Sequence, residues 1–379
     1  MNIIDLFSGV GGFSSGFVKN NDDVLLANEI DESIADSYKY NHPDTLMINT
    51  DIKNFATNPD MIVRNELKKI TDKDRRDEIE TKLKSVDVII GGPPCQGFSM
   101  AGARIRKKKD FIEDPRNYLF KYYIKILNFY KPKFFVFENV QGIITMNGGD
   151  LLNEIISIFK ESGYNIDVQL IDASEFGVPQ KRKRVIIIGS LNYKINLKEE
   201  IEKYRTEYFV DNNVTLKDAI ADLNFIENGE GEMECNYKLP PTSDYQKERK
   251  KKSEKLYNHI APFHEPKIVK RISEIRPGAN YKSLKDSSNI KSVHSGSYGR
   301  LEWNKPTMTI TTRFDTPSAG RVIHPSKDRA LTAREAARIQ SFDDDFIFIG
   351  NKTSVGKQIG NAVPPLVSLA LARIISSKN

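Results

Sequence analysis

The sequence predicts an α/β fold built on a mostly parallel β-sheet with helices on both faces. Short β-branched or aromatic runs, bounded by Gly, Pro, Asn or Asp, alternate over the first half with amphipathic segments such as 117–129 and 150–161. This order favours parallel pairing, because parallel neighbours need a crossover connection. The predicted strands are residues 2–7, 23–27, 46–49, 86–90, 134–137, 166–171 and 185–188.

The alternation changes along the 379 residues. Residues 60–85 form a charged insertion that we interpret as one solvated surface helix, and residues 191–328 are rich in Lys, Asn, Ser, Pro and Tyr. A helix is predicted again at 332–339, and an apolar helix at 364–372 is suited to packing back on the sheet. We therefore predict a first domain at 1–190, a second at 191–328, and a closing segment at 329–379 that returns to the first.

Composition limits the classes of function. The chain is 39% hydrophobic and 28% charged, and no run approaches the roughly 18 apolar residues of a membrane span. The N-terminus lacks the features of a signal peptide, so we expect an intracellular protein. Two cysteines, Cys95 and Cys235, cannot build a disulfide framework, and no Cys/His cluster has zinc spacing, so no metal is expected. A net charge of +6 permits a nucleic-acid partner without requiring one.

A glycine-rich turn follows the first predicted strand, at residues 8–12. A dinucleotide fingerprint is incomplete, since Ser14 stands where G-x-G-x-x-G requires its third glycine. Glu29 ends the second strand, where a carboxylate can accept hydrogen bonds from ribose hydroxyls, and Asp51 ends the third, where it can accept from an exocyclic amine. These residues indicate an adenosine-containing cofactor and leave NAD and S-adenosylmethionine open.

Cys95 lies in the loop 91–99, GGPPCQGFS, directly after a predicted strand. Pro93 and Pro94 restrict the backbone, while the flanking glycines leave room for a planar substrate. A structural cysteine would more often lie inside an apolar run. We therefore interpret Cys95 as functional, in a setting where stabilisation of the thiolate would help it to act as a nucleophile.

Two charged elements follow at the same sheet edge. Glu138 ends the strand at 134–137, where poor solvation would raise its pKa and suit it to act as an acid; a helix-capping or ion-paired glutamate is the alternative. Residues 180–184, QKRKR, open the last strand, where alternation would direct Arg182 and Arg184 to one side. Two guanidiniums suit a carboxylate, a base carbonyl or a phosphate, and a basic run on a solvated edge is the alternative.

These motifs, in this order, resemble the DNA (cytosine-5) methyltransferase family of the bacterial restriction-modification type. They include DLFSGVGG (5–12), NE (28–29), TDI (50–52), PPCQGFS (93–99), RNYLF (116–120), ENV (138–140), QKRKR (180–184), RALTAREAARIQSF (329–342) and GKQIGNAVPP (356–365). Some are weak singly, but jointly they are specific. The resemblance implies a Rossmann-like, mostly parallel seven-stranded sheet that binds S-adenosyl-L-methionine and releases S-adenosyl-L-homocysteine, and a smaller, irregular target-recognition domain at 191–328.

The resemblance also implies residue roles. Cys95 would attack carbon 6 of a flipped-out cytosine, Glu138 would act at N3 and the exocyclic amine, and Arg182 would hold the base O2 and orient Glu138, with Arg184 in support. The implied cofactor contacts are Phe7, Ser8, Gly9, Gly11, Gly12, Glu29, Ile30, Asp51, Ile52, Pro93, Leu119, Asn361, Ala362 and Val363. The implied DNA contacts are Gln96, Ser99, Arg104, Arg106, Thr311, Arg313 and Arg321.

Two of the segments expected to contact DNA have an alternative interpretation. Residues 99–114 resemble a mobile lid whose charges meet phosphates, or are a solvated loop. Residues 307–314, with Gly320 and Arg321, mix hydroxyls and arginines that suit base edges and phosphates, or residues 306–312 are a plain strand.

Other functions are disfavoured by particular motifs. An RNA cytosine-5 methyltransferase is disfavoured because GFS (97–99) continues the Pro-Pro-Cys-Gln motif in the DNA form. A catalytically inactive DNA-binding module is disfavoured by the intact Cys95, Glu138 and Arg182. The expected partners are double-stranded DNA and a cognate restriction endonuclease that acts on the same site. We expect a monomeric enzyme that is located in the bacterial cytoplasm, at the nucleoid.

Overall fold

The computed structural model describes residues 1–94, 119–208, 210, 213–285 and 296–379. Its strands are β1 (Asn2–Leu6), β2 (Asp23–Asn28), β3 (Leu46–Ile48), β4 (Val88–Gly91), β5 (Phe134–Val140), β6 (Asn165–Asp172), β7 (Gln180–Lys181), β8 (Lys183–Ser190), β9 (Gly231–Cys235), β10 (Leu256–Ile260), β11 (Gly299–Arg300), β12 (Thr307–Met308) and β13 (Arg321–Ile323). Its α-helices are α1 (Gly12–Lys19), α2 (Glu32–Asn41), α3 (Ile52–Thr57), α4 (Pro59–Leu67), α5 (Lys73–Lys82), α6 (Phe120–Tyr130), α7 (Asp150–Glu161), α8 (Leu197–Glu207), α9 (Leu216–Ile220), α10 (Asp244–Lys250), α11 (Pro266–Ser273), α12 (Ala333–Ile339), α13 (Lys352–Asn361) and α14 (Pro365–Ser376).

Seven strands form one sheet in the order β3-β2-β1-β4-β5-β8-β6. The first five of these pair in parallel, and β8 pairs antiparallel with both β5 and β6. All seven predicted strands belong to this sheet, so the predicted mostly parallel α/β fold is confirmed. Because β2, β1, β4 and β5 are parallel neighbours, their carboxyl ends lie along one edge, where ligands of such sheets bind.

The sheet forms because its central strands are apolar on both faces. All four residues of β4 and the first four of β5 are buried, and Val, Ile and Phe dominate them. Helix α6 covers this region with Tyr123, whose ring packs edge-on to Phe137 at 5.3 Å between centroids. The Tyr123 hydroxyl donates to the carbonyl of Ile89 at 3.0 Å, so the buried oxygen is satisfied.

The insertion at 60–85 is two helices, α4 and α5, not the single solvated helix that we predicted. Val63 and Leu67, four residues apart on α4, and Ile79 on α5 are buried in the main core. Residues at this spacing share one helix face, so a few apolar side chains are enough to dock a largely charged helix.

The chain divides into two compact units. The first contains residues 1–172, 183–209 and 368–379, and the second contains 173–182 and 210–367. Within the first unit, α14 packs on α1: the Ser368 hydroxyl donates to the carbonyl of Phe13, and a Cβ on Gly16 would lie 2.3 Å from the backbone nitrogen of Leu369. Compactness does not identify the residues that bind DNA, so the boundaries of a recognition domain stay a prediction.

Buried ion pairs stabilise the second unit. The guanidinium of Arg338, on α12, lies 3.0 Å from Asp222 and 2.6 Å from Asp344, and all three side chains are buried. Arg329 donates twice to Glu335, both bonds at 2.8 Å. Burial alone would raise the pKa of Glu335, but the adjacent Arg329 charge lowers it to about 2. Much of the motif at 329–342 is therefore structural.

Replacing Arg338 with Met should destabilise the protein strongly. The change removes the cation paired with buried Asp222 and leaves buried Asp344 with the more distant Arg334, at 3.8 Å, which costs on the order of 3–5 kcal/mol. Thermal unfolding measures the loss. Lys247→Met, which breaks an exposed pair with Asp244 at 2.8 Å, is the matched control and should change the midpoint little. Equal midpoints for the two variants would contradict the prediction.

Residues 352–376 are long and apolar enough to cross a membrane, the one such candidate in the described part of the chain. They comprise α13 and α14, and 67% of the most apolar window is buried inside the protein. Core helices of soluble proteins meet the same criterion, so this is weak evidence for a membrane span.

Candidate active site

The turn after β1 has a backbone that favours glycine. Phe7, Gly9 and Gly11 have φ values of 56°, 56° and 94°, and Gly12 begins α1. Among the described residues, no atom lies within 4 Å of the position that a Cβ on Gly9 would occupy, so this part of the structure leaves the turn open there. A Cβ on Gly11 would lie 2.6 Å from Nε2 of His42, so that position needs glycine for space as well. The turn therefore allows a ligand to approach the backbone closely.

Glu29, immediately after β2, is held against this turn. Its carboxylate oxygens accept hydrogen bonds from the backbone N–H groups of Gly9 at 3.0 Å and Asp31 at 2.8 Å. Burial raises the pKa of the Glu29 carboxyl, although these N–H groups favour its charged form. The next side chain, Ile30, is 65% exposed. A carboxylate beside an exposed apolar side chain and an open turn suits a nucleoside.

Asn28 connects the ends of the first three strands. Its side-chain amide donates to two carbonyls at the end of β3, both at 2.9 Å, and its own carbonyl accepts from the hydroxyl of Ser8 at 3.3 Å. Asp51 follows β3 and caps α3, where its carboxylate accepts from the N–H of Lys53 at 2.9 Å. Strand pairing thus brings Asp51 to the same sheet edge as Glu29.

A buried polar chain supports the turn from beneath. The Ser14 hydroxyl donates to the carboxyl of Asp5 at 2.6 Å and lies 2.7 Å from the hydroxyl of Tyr38. Burial raises the pKa of Asp5 to about 7. The residue that interrupts the dinucleotide pattern therefore links β1, α1 and α2. Asp5 and Tyr38 were not among the predicted site residues, although a carboxylate inside an apolar strand was an available signal.

The predicted apolar walls differ in their surroundings. Ile52 is buried in the main core, and Phe7 and Leu119 pack in part against that core. Pro93 is buried, and its carbonyl accepts from the side-chain amide of Asn139 at 3.4 Å. Asn139 was also not predicted as a site residue, and it ties the end of β5 to the loop after β4.

Glu138 and Arg184 form an ion pair at the end of β5. Arg184 Nε lies 2.9 Å from Glu138 Oε1, and the side chains are 18% and 13% exposed. The antiparallel register places Glu138 opposite Ile186, and Arg184, two residues before Ile186 in β8, lies on the same face of the strand. A Cβ on Gly92 would lie 3.0 Å from Glu138 Oε2, so the loop after β4 approaches this carboxylate. Glu138 is therefore ion-paired, and its catalytic role stays a prediction.

Arg182 binds a set of backbone carbonyls. β7 ends one residue before it and β8 begins one residue after it, so strand alternation does not relate Arg182 to Arg184. Glu138 pairs with Arg184, and the role of Arg182 towards Glu138 stays a prediction. The guanidinium of Arg182 is buried and donates at 3.0–3.1 Å to the backbone carbonyls of Ile310, Gly360 and Ala362.

The predicted DNA contacts that the structure describes fall into two kinds. Thr311 and Arg313 are exposed. The guanidinium of Arg321 instead donates to the carbonyls of Gly278 at 2.8 Å and Arg300 at 3.3 Å, which engages it within the second unit. Cys95, Gln96, Ser99, Arg104 and Arg106, with the predicted lid at 99–114, lie outside the described residues.

Asn361, Ala362 and Val363, predicted to contact a cofactor, belong to the second unit. Asn361 is the last residue of α13, and the carbonyl of Ala362 is one of those bound by Arg182.

The family described as C-5 cytosine-specific DNA methylase matches residues 1–377 of the chain. The chain belongs to this family. Its similarity to known methyltransferases extends over the whole length. It is 37% identical to the Type II methyltransferase M.DdeI of Desulfomicrobium norvegicum, over 99% of this chain and 88% of the relative. It is 34% identical to the Type II methyltransferase M1.HphI of Haemophilus parahaemolyticus, over 100% of this chain and 87% of the relative.

Solved structures agree with the assignment. A DNA modification methyltransferase encoded within a prophage of E. coli superposes with a TM-score of 0.72 at 26% identity, covering 100% of this chain and 99% of that one. The methylase is thus a cytosine-5 DNA methyltransferase of the Type II restriction-modification kind, and its seven-stranded sheet is the methyltransferase fold that the resemblance implied.

Glu29→Gln should weaken the binding of S-adenosylmethionine to the methylase. The substitution removes one carboxylate oxygen and turns an NH₂ group toward the N–H of Gly9 or Asp31, so a charge-assisted acceptor is lost. We expect an increase in Kd of about 10-fold or more, measured by calorimetry. Glu32→Gln, at an exposed position in the first turn of α2, is the control. An unchanged Kd for Glu29→Gln would contradict the cofactor contact that the resemblance implies for Glu29.

Proposed function

We propose that this methylase transfers a methyl group from S-adenosylmethionine to carbon 5 of a flipped-out cytosine in a specific duplex DNA site. The observation that carries the proposal is the Glu138–Arg184 ion pair at the end of β5, beside the loop that leads to Cys95. It supplies a polar, partly buried place for the edge of a pyrimidine, close to Gly92 in the loop that precedes Cys95 in the sequence.

The residues around the β1 turn fit the cofactor. The open space at Gly9 admits it, Glu29 would hold its ribose hydroxyls, and Asp51 would accept from its adenine amine. Ile30 offers an exposed apolar surface to the adenine ring. When bound, the cofactor supplies an electrophilic methyl group. Phe7, Ser8, Gly11, Gly12, Ile52, Pro93, Leu119, Asn361, Ala362 and Val363 complete the proposed contacts.

The chemistry requires a nucleophile, because carbon 5 of cytosine is unreactive. The Cys95 thiolate forms a bond to carbon 6, and the electron pair displaced from the 5,6 double bond makes carbon 5 nucleophilic. Glu138 acts at N3, where it offsets the developing charge. Arg184, rather than Arg182, orients Glu138 and would bind the base O2. After methyl transfer the carbon 5 proton leaves to a base, and the thiolate is expelled as the double bond re-forms.

The base must leave the duplex for this attack, since its ring is stacked within the helix. Gln96, Ser99, Arg104, Arg106, Thr311 and Arg313 are the proposed DNA contacts. Arg321, which is engaged by two carbonyls, is proposed only as a support of the recognition surface. We further propose a monomer in the bacterial cytoplasm that protects host DNA from a cognate restriction endonuclease.

Incubation with labelled S-adenosylmethionine tests the proposal. Duplex DNA should become labelled, and labelling of transfer RNA alone would overturn it. Bisulfite sequencing of DNA from cells that express the chain should then show protected cytosines within one short sequence. Protection scattered without a common sequence would argue against a specific site.

A further inference from the structure

Residues 307–313, here called the recognition segment, leave the strand ladder after two residues. β12 pairs with β7 only at Thr307 and Met308. Beyond it, the Thr309 hydroxyl donates to the carbonyl of Lys181 at 3.0 Å. A segment without a ladder partner needs other groups to satisfy its backbone.

The side chains of Gln180, in β7, and Arg182, between β7 and β8, replace the missing ladder at Ile310. The N–H of Ile310 donates to the side-chain oxygen of Gln180 at 2.8 Å, and its carbonyl accepts from Arg182 at 3.1 Å. Both Gln180 and Arg182 are buried. The peptide groups of Ile310 are thus bound on both sides by side chains of one short segment.

The same two side chains reach the end of α13. Arg182 donates to the carbonyls of Gly360 at 3.0 Å and Ala362 at 3.1 Å. Gln180 donates to the side chain of Gln340 at 3.0 Å, which in turn donates to the carbonyl of Ile359 at 2.8 Å. The recognition segment and the end of α13 therefore share one buried polar clamp, made of Gln180, Arg182 and Gln340.

Close packing completes the clamp. A Cβ on Gly356 would lie 2.4 Å from the carbonyl oxygen of Thr312, and a Cβ on Gly360 would lie 2.4 Å from the backbone nitrogen of Thr312. Both glycines are on α13, so this helix contacts the backbone of the recognition segment directly. No side chain fits between them without displacing backbone.

The clamp determines which side chains are presented to solvent. Thr307 and Ile310 are 3% and 1% exposed, whereas Met308 is 59% exposed and Thr311 and Arg313 are also exposed. A hydroxyl and a guanidinium suit base edges and phosphates, and Met308 adds an apolar contact such as a thymine methyl. Their backbone is held while their side chains are exposed, and the Arg313 guanidinium makes only long hydrogen bonds of 3.4 Å to the hydroxyl of Thr316 in the described structure.

We infer that Arg182 and Gln180 are positioning residues for DNA recognition, and that Met308, Thr311 and Arg313 are the side chains that they position. The inference rests on the proposed function, since it requires a DNA substrate. A rigid backbone discriminates between DNA sites better than a mobile one, because it keeps hydrogen-bond donors aligned with the correct base. Misplaced donors lose the hydrogen bonds on which that discrimination depends. Arg182 acts through the backbone carbonyl of Ile310.

Arg182→Lys and Gly360→Ala test the clamp from opposite sides. The single ammonium of lysine does not reproduce a planar fork on several carbonyls, and the new Cβ of Gly360→Ala displaces Thr312. Gly296→Ala is the control, because its nearest contact would be an ordinary 3.6 Å. Hydrogen exchange should be faster by about tenfold at 310–312 in both variants and unchanged in the control.

The kinetic readout separates positioning from a merely structural role. On the site found by bisulfite sequencing, KM for DNA should rise about tenfold and discrimination against single-base changes should fall, with kcat at saturating DNA nearly retained. A fall in kcat, with KM for DNA and discrimination between sites unchanged, would overturn the inference. A lower melting temperature, with KM for DNA and discrimination unchanged, would overturn it as well. Unchanged exchange at 310–312 would also overturn it. If the wild-type chain does not methylate DNA, the proposed function fails, while the exchange measurement still decides whether the clamp exists.

Discussion

Cys95→Ser is expected to reduce methyl transfer by at least about ten-thousand-fold while duplex DNA still binds. A serine hydroxyl ionises far less readily than a thiol, so attack at carbon 6 is lost and carbon 5 is not activated. Incorporation of label from S-adenosylmethionine measures the loss, and a gel-shift assay measures DNA binding.

Cys235→Ser is the matched control for this variant. Cys235 lies in β9, and burial raises the pKa of its thiol, which makes it a poor nucleophile. Turnover should be unchanged. DNA with 5-fluorocytosine at the target should trap a covalent complex with the wild-type protein and Cys235→Ser, because fluorine replaces the proton that must leave. Trapping by Cys95→Ser would refute the nucleophile assignment.

Glu138→Gln is expected to lower kcat by about 10²–10⁴-fold, with a smaller effect on KM for DNA. The amide cannot transfer a proton at N3, and it loses the charged contact with Arg184 at 2.9 Å. Arg184→Met should produce a loss of similar size, because it leaves the partly buried carboxylate without its orienting cation. The double variant should be little worse than either single one, since the two residues act as a unit.

The exposed pair Arg205–Glu202 provides the comparison. Glu202→Gln removes a carboxylate 3.4 Å from an arginine in the same unit, but that carboxylate is 65% exposed. Its kinetics should match those of the wild type. Additive losses for Glu138→Gln and Arg184→Met would show that the two residues act independently.

The strands were predictable because their signal is local. β5 is Phe-Phe-Val-Phe followed by Glu138, and a short β-branched or aromatic run of this kind is compatible with few other structures. The turn after β1 was predictable for the same reason, since glycine spacing reports backbone conformation directly. The buried face of the charged insertion was missed, because its buried apolar residues, Val63, Leu67, Ile79 and Leu83, are sparse among charges.

The sequence by itself determined the family, the chemistry that its residues can perform, and the sheet that carries them, because each depends on residue type and local order. It did not determine which arginine serves Glu138. Residues 182 and 184 are both arginines, two positions apart in the sequence. They have different partners because β7 ends and β8 begins between them. Tertiary structure decided this, because the partners of Arg182 are backbone carbonyls 128 to 180 residues away, which no local pattern specifies.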